Sequence, residues 1–195
     1  MRNIDSNILV VDVEATAWKY IEDKPENEFQ EIIEIGIVVV DSINLVIKEK
    51  ESIIVKPQSS KVSDFCEKLT SLTQKDVDSG MLLSDAVNII KNKYKSKNRT
   101  FLSWGDFDRK IFQKNCIDYN IEYPFGPRHI NFKNTFSIFE GLNKEFGLSE
   151  AMIYDGCEFE GIQHRALFDA FNTAKFFIKT LKLYRGLLHD DGRRF

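Results

Sequence analysis

Ile8-Leu9-Val10-Val11-Asp12-Val13-Glu14-Ala15-Thr16 is the stretch whose reading decides the fold. Four consecutive aliphatic residues followed by an acid-apolar-acid pattern predict a strand at the centre of a sheet, covered on both faces. Side chains alternate along a strand, so Asp12 and Glu14 project from the same face as neighbours. A buried carboxylate is costly unless something compensates it, and two like charges side by side cost more again. A bound cation resolves both problems, and oxygen ligands suit hard cations such as Mg²⁺ or Mn²⁺. The competing reading ends the strand at Val11 and leaves both acids solvated at a loop edge. These residues alone do not separate the two.

The 195-residue chain is long enough for one well-packed α/β domain and short for two. Sixteen phenylalanines promise a largely aromatic core. A formal charge of −3 argues against a protein that coats nucleic acid by bulk positive charge, but not against an enzyme that grips a few nucleotides through metals. Cys66, Cys116 and Cys157 are odd in number and widely spaced, which indicates neither a disulfide framework nor a zinc site. No signal-peptide pattern is present, and no apolar run approaches the ~18 residues of a membrane span. A soluble, reducing, cytoplasmic setting without membrane contact is expected.

Beyond the first strand, residues 18–28 are polar and contain proline, as in a loop. Ile32 to Val40 predicts a second strand and Leu45 to Val55 a third, folded back as an antiparallel meander. Short helices are expected from Ser63 to Leu69 and from Thr73 to Val77, and a longer one capped by Ser84 and running to Tyr94. Thr100 to Trp104 is a short buried strand, turning at Gly105-Asp106-Phe107-Asp108 into a helix that ends near Tyr119. A fifth strand at Arg128–Phe132, a helix at Thr135–Phe146 and a long final helix from Arg165 complete the chain. The domain core is expected at about residues 8–188, with 189–195 a loose tail. The most basic stretch, Lys91 to Arg99, is read either as a phosphate-backbone contact or as a solvated helix end.

Acidic or imidazole groups recur at the ends or inner faces of buried elements. Asp12 lies with Glu14, Asp108 sits where a strand turns into a helix, and His164 precedes the helix that carries Asp169. Four carboxylates are about what a pair of divalent cations requires when water and a phosphate complete each shell. Histidine suits the base that such a centre needs near neutral pH. Asp106 competes with Asp108 as a helix N-cap. Asp155, Glu158 and Glu160 are read as a solvated acidic loop rather than a further metal site, and Trp104 and Phe107 are open to either core packing or base stacking.

These residues resemble the three exonuclease motifs of the DnaQ-like, DEDDh superfamily: Asp12-x-Glu14-Ala-Thr, then Phe107-Asp108, then His164-x-x-x-x-Asp169. Agreement goes further with one branch, the Eri-type 3′→5′ exoribonucleases and their bacterial KapD-like relatives. Glu31-Ile32-Ile33-Glu34-Ile35-Gly36, Leu69 to Val77, Trp104 to Asp108 and Gly161-Ile162-Gln163-His164-Arg165 carry that closer likeness, which spans roughly Ile8 to Phe177. The resemblance implies a ribonuclease-H-like fold: one α/β domain with a five-stranded mixed sheet flanked by helices. It implies two Mg²⁺ or Mn²⁺ ions held by Asp12, Glu14, Asp108 and Asp169, with His164 as general base. It further implies that the residues from Glu14 onward, especially Ala15 and Thr16, contact the 3′-terminal nucleotide through their backbones. Ser103-Trp104 departs from the His-Asn of many members, so that pair's contacts are not carried over. The expected function is metal-dependent 3′→5′ hydrolysis of a single-stranded nucleic acid, with RNA favoured over DNA and release of nucleoside 5′-monophosphates. A DNA exonuclease of the same fold and a non-catalytic scaffold are the alternatives.

Overall fold

The computed structural model describes residues 5–187. The expected tail, His189 included, lies outside that range. Strand β1 (Asn7–Ala15) is the centre of the molecule. It pairs antiparallel with β2 (Ile32–Asp41) from Asn7 opposite Asp41 to Ala15 opposite Ile32. Its other edge pairs in parallel with β4 (Thr100–Ser103). Strand β3 (Val46–Ile54) continues the meander beyond β2, and β5 (His129–Asn131) lies parallel beside β4. The order β3-β2-β1-β4-β5 is a five-stranded mixed sheet.

Alternation along β1 assigns each side chain to a layer. Leu9, Val11, Val13 and Ala15 face a core shared with α3 (Leu83–Asn92) and α4 (Phe107–Asp118). Ile8 and Val10 face the opposite core, built from α5 (Phe132–Phe139), α6 (Leu148–Tyr154) and α7 (Ala166–Tyr184). By the same period of two, Asp12 and Glu14 point to the α7 side. All ten residues of β2 are buried, as expected of a strand covered on both faces. The ladder of β1 and β2 shifts register after Glu14, a bulge at the end of the strand that carries the acids.

Two short helices follow β3 and pack on a small third core around Ile33. In α1 (Asp64–Thr70), the Ser63 hydroxyl accepts from the Cys66 N–H at 3.1 Å. In α2 (Gln74–Asp78), Thr73 and Asp76 form a reciprocal capping box. Both starts agree with the expectation; α3 does not. It begins at Leu83 with Leu82 in the cap position and no side-chain cap, because burial of Leu83 rather than the Ser84 hydroxyl sets its start. The single helix expected over Thr135–Phe146 is two helices. Asn131 caps α5 early by accepting from the Asn134 N–H at 3.1 Å, and Gly141, with φ +62°, ends it. Gly147 then caps the unexpected α6.

One close approach positions the acid-bearing face. A Cβ on Gly36 would lie 2.1 Å from the Ala166 carbonyl oxygen, so the first turn of α7 rests directly on β2 backbone. Gly36 pairs with Asp12 across the ladder, which puts the start of α7 over the acids. Gly36→Ala is expected to cost about 1–3 kcal/mol, as overpacking does, or to push α7 outward. Denaturant unfolding measures this, and an unchanged midpoint would show that the helix yields freely.

Candidate active site

Asp12 and Glu14 extend from β1, and Asp169 comes down from the first turn of α7. One oxygen of each lies within 4.8 Å of the others. Asp169 is aimed by its own helix start, where its carboxylate accepts from the Arg165 N–H at 3.1 Å. Asp108, buried in the first turn of α4, reaches the group edge-on. Strand β4 pairs with β1 only as far as Val10, and Asp108 Oδ1 takes the Val13 N–H beyond that point at 3.0 Å.

Concentrating four acids raises their affinity for protons. Burial and then the neighbouring charges of Asp108, Asp169, Glu14 and Glu34 hold Asp12 well above the ordinary carboxylate range. Burial followed by repulsion from Asp169 and Glu34 lifts Glu14 to about 8. Burial pushes Asp108 up to about 7 against the pull of the Val13 N–H, and Asp169 to about 6 against N–H groups of Arg165 and His164. Such a set of oxygens fits hard divalent cations, whose charge relieves the repulsion.

Two further residues complete the electrostatics, and sequence reasoning gave them no role. Glu34 lies directly opposite Glu14 in the β1–β2 ladder and is 1% exposed. Arg165 grips it at both oxygens (2.9 and 3.2 Å), while the Ala166 N–H (3.1 Å) and the Ser52 hydroxyl (2.6 Å) donate to it as well. The signal was an acid inside the apolar run of β2, the same anomaly that marked Asp12.

The remaining candidates separate clearly. His164 is exposed on the loop before α7, with φ +59°, a left-handed backbone that non-glycine residues seldom adopt. Ala15 is buried at the end of β1. Thr16 is fully buried, its N–H donating to the Glu31 carbonyl (2.8 Å) and its hydroxyl tied to Phe29 and Glu31 backbone, so these groups tie the loop rather than face a ligand. Asp106 sits at the N-cap position without capping and instead binds Arg109 with both oxygens. Trp104 packs against Phe132, Phe136 and Phe176 with its indole N–H on the Phe146 carbonyl, whereas Phe107 stays exposed.

The basic stretch is largely ion-paired with neighbouring acids. Lys91 and Lys97 pair with Glu122, Lys93 with Glu49 and Glu51, and Arg99 with Asp5. It also lies by the end of β1 where Ile8 meets Thr100, about 13–20 Å along the strand from the acids. Asp155 and Glu160 are ion-paired with Lys179 and Lys175, so the acidic loop is a paired surface.

The exonuclease family model RNase_T matches residues 9–177, and the chain belongs to that family. It is 33% identical over 175 residues to the probable 3′-5′ exonuclease KapD of Bacillus subtilis, covering 88% of this chain and 83% of that one. Human 3′-5′ exoribonuclease 1 is 28% identical over 187 residues, and the match spans 90% of this chain but only 52% of the relative. Among solved structures, the nuclease domain of 3′hExo, a DEDDh family member bound to rAMP, superposes with a TM-score of 0.81 at 26% identity, covering 93% of each chain.

Two predictions follow from the charges. Glu14, Asp108 and Asp169 bind protons more tightly folded than unfolded, so from about pH 4 to 8 the metal-free folded state holds more protons. Its stability is highest at the acid end of that window and falls as pH rises. Thermal unfolding without metal is expected to show this fall, Asp12→Asn to lessen it, and Mg²⁺ to restore stability more at pH 8 than at pH 5. Arg165→Met strands a buried carboxylate and is expected to cost about 3 kcal/mol, with part recovered in the double variant with Glu34→Gln.

Proposed function

We propose that the protein is a divalent-metal-dependent 3′→5′ exonuclease acting on single-stranded ends, with RNA as the favoured polymer. The observation that carries this is the convergence of Asp12, Glu14 and Asp169 within 4.8 Å beside buried Asp108, on the face covered by α7. Two Mg²⁺ or Mn²⁺ ions held by these four acids would supply the Lewis acidity that favours attack at phosphorus and departure of the 3′ oxygen. The chain's own residues do the rest. His164, exposed on its loop, accepts the proton of the attacking water at an imidazole nitrogen. Backbone around Ala15 and the exposed ring of Phe107 flank the place of the terminal nucleotide. Arg165 neutralises Glu34, so that the net negative charge stays with the four acids that hold cations.

Support for RNA comes from relatives that are named exoribonucleases and from the rAMP in the 3′hExo nuclease domain. Structures similar to this chain that hold DNA, such as exonuclease I with an oligonucleotide, are 14–17% identical and speak to the fold alone. We read the whole chain as one exonuclease domain. Its three cysteines are free thiols, in keeping with a reducing, cytoplasmic setting. No described helix is long and apolar enough to cross a membrane.

The test is a 5′-labelled single strand incubated with Mg²⁺. A stepwise ladder is expected, faster on RNA than on matched DNA and lost with chelator or in Asp12→Ala. His164→Ala is expected to slow it by ~10²–10⁴ while metal still raises the melting temperature. Intact substrate under every metal condition would sink the reading.

A further inference from the structure

Every ion pair formed among the described residues lies outside two segments, 16–31 and 55–80. Both segments flank the end of the sheet that carries Glu14, since they follow β1 and β3 where these strands meet the start of β2. Their six lysines (19, 24, 56, 61, 68 and 75) therefore have no carboxylate partner among the described residues, although both segments also contain acids. Elsewhere on the described surface most lysines and arginines are paired, and the chain's most basic run is paired almost throughout.

Two of these lysines, Lys19 and Lys68, line one cleft together with Trp18 and Phe65. The cleft is joined to the acid-bearing strand. Its α1 wall is fastened to the segment just past Glu14 by the Ser63 hydroxyl donating to the Ala17 carbonyl (2.5 Å) and the Cys66 thiol donating to the Ala15 carbonyl (3.6 Å). Below α1, Glu31 takes the N–H groups of Gln58, Ser59 and Ser60, which pins the approach to that helix. Asp23 and Asp64 also line the cleft, yet neither reaches a lysine: Asp23 accepts from the Tyr20 N–H (3.2 Å), and Asp64 occupies the first turn of α1. Lys19 meets only the exposed Tyr20 ring, 5.0 Å from its centroid, a contact easily exchanged for a phosphate.

We propose that the strand upstream of the terminal nucleotide runs through this cleft, with a base against the Trp18 face and phosphates beside Lys19 and Lys68. The proposal rests on the exonuclease reading above and adds where the polymer lies. Contact of this kind, to backbone charge and to the flat face of a base, tolerates any sequence. It makes affinity grow with strand length until the cleft is filled. It also gives the enzyme a salt-dependent grip that its net charge of −3 would not suggest.

The experiment compares the dinucleotide UpU, which can offer the cleft at most one nucleotide, with longer oligouridylates in the presence of Mg²⁺. Wild-type KM is expected to fall with length and then level off. In Lys19→Ser with Lys68→Ser, and separately in Trp18→Ala, the rise in KM on the longer strand is expected to exceed any change on UpU roughly tenfold. The slope of log KM against log salt should become shallower by roughly 0.7 per lysine removed, and Lys68→Arg should restore its share. A KM independent of length, or equal losses on both substrates, overturns the cleft while leaving the exonuclease reading in place. No hydrolysis of either substrate by the wild type overturns both.

Discussion

The clamp between Glu34 and the start of α7 is the contact on which the rest of the site depends. Arg165 and the Ala166 N–H hold both oxygens of a carboxylate that β2 buries opposite Glu14. Gly36, one pleat further along the same face, lets the helix backbone settle onto the strand. These two features set the height and angle at which α7 meets the sheet. Asp169 follows from them, because it lies within one turn of the clamp and takes its orientation from the same Arg165 backbone. A metal-binding geometry is thus inherited from a packing geometry that contains no metal ligand.

The fourth acid is placed by a different shortage. Strand β4 is short, so the edge of β1 beyond Val10 is left without a strand partner, and the Asp108 carboxylate supplies the missing acceptor for the Val13 N–H. Asp108 and Asp169 each occupy the first turn of a helix, where the aligned peptide dipoles favour negative charge. That stabilisation is far too small to cancel four crowded carboxylates. The cluster therefore weakens the metal-free fold near neutral pH, and cation binding and folding support each other.

Much of this was legible in the chain. Four aliphatics before Asp12, the β-branched run of β2 and the helical spacing of α7 identified the sheet centre and its covering helix. The acids themselves were visible as charges in positions that hydrophobic patterning reserves for the core. Less legible were the breaks between α5 and α6, where Asn131, Gly141 and Gly147 overrule an apolar pattern that could have continued. The fate of aromatic and basic residues was also hidden. Trp104 and Phe107 are three positions apart and equally aromatic, yet one is enclosed by α5 and α7 and the other is exposed. The lysines of 91–99 look like a phosphate track until Glu49, Glu51 and Glu122 are seen beside them.

By itself, then, the sequence determined which residue types are buried in strands and which acids there call for a compensating charge, since alternation and desolvation act over a few neighbouring positions. Tertiary structure alone decided who meets whom. It set Glu34 against an arginine 131 residues away, spent the basic run on local acids, hid one aromatic and exposed the other, and left the lysines around the cleft unpaired. Such pairings depend on strand register and helix approach, which bring together side chains that nothing in the linear order relates.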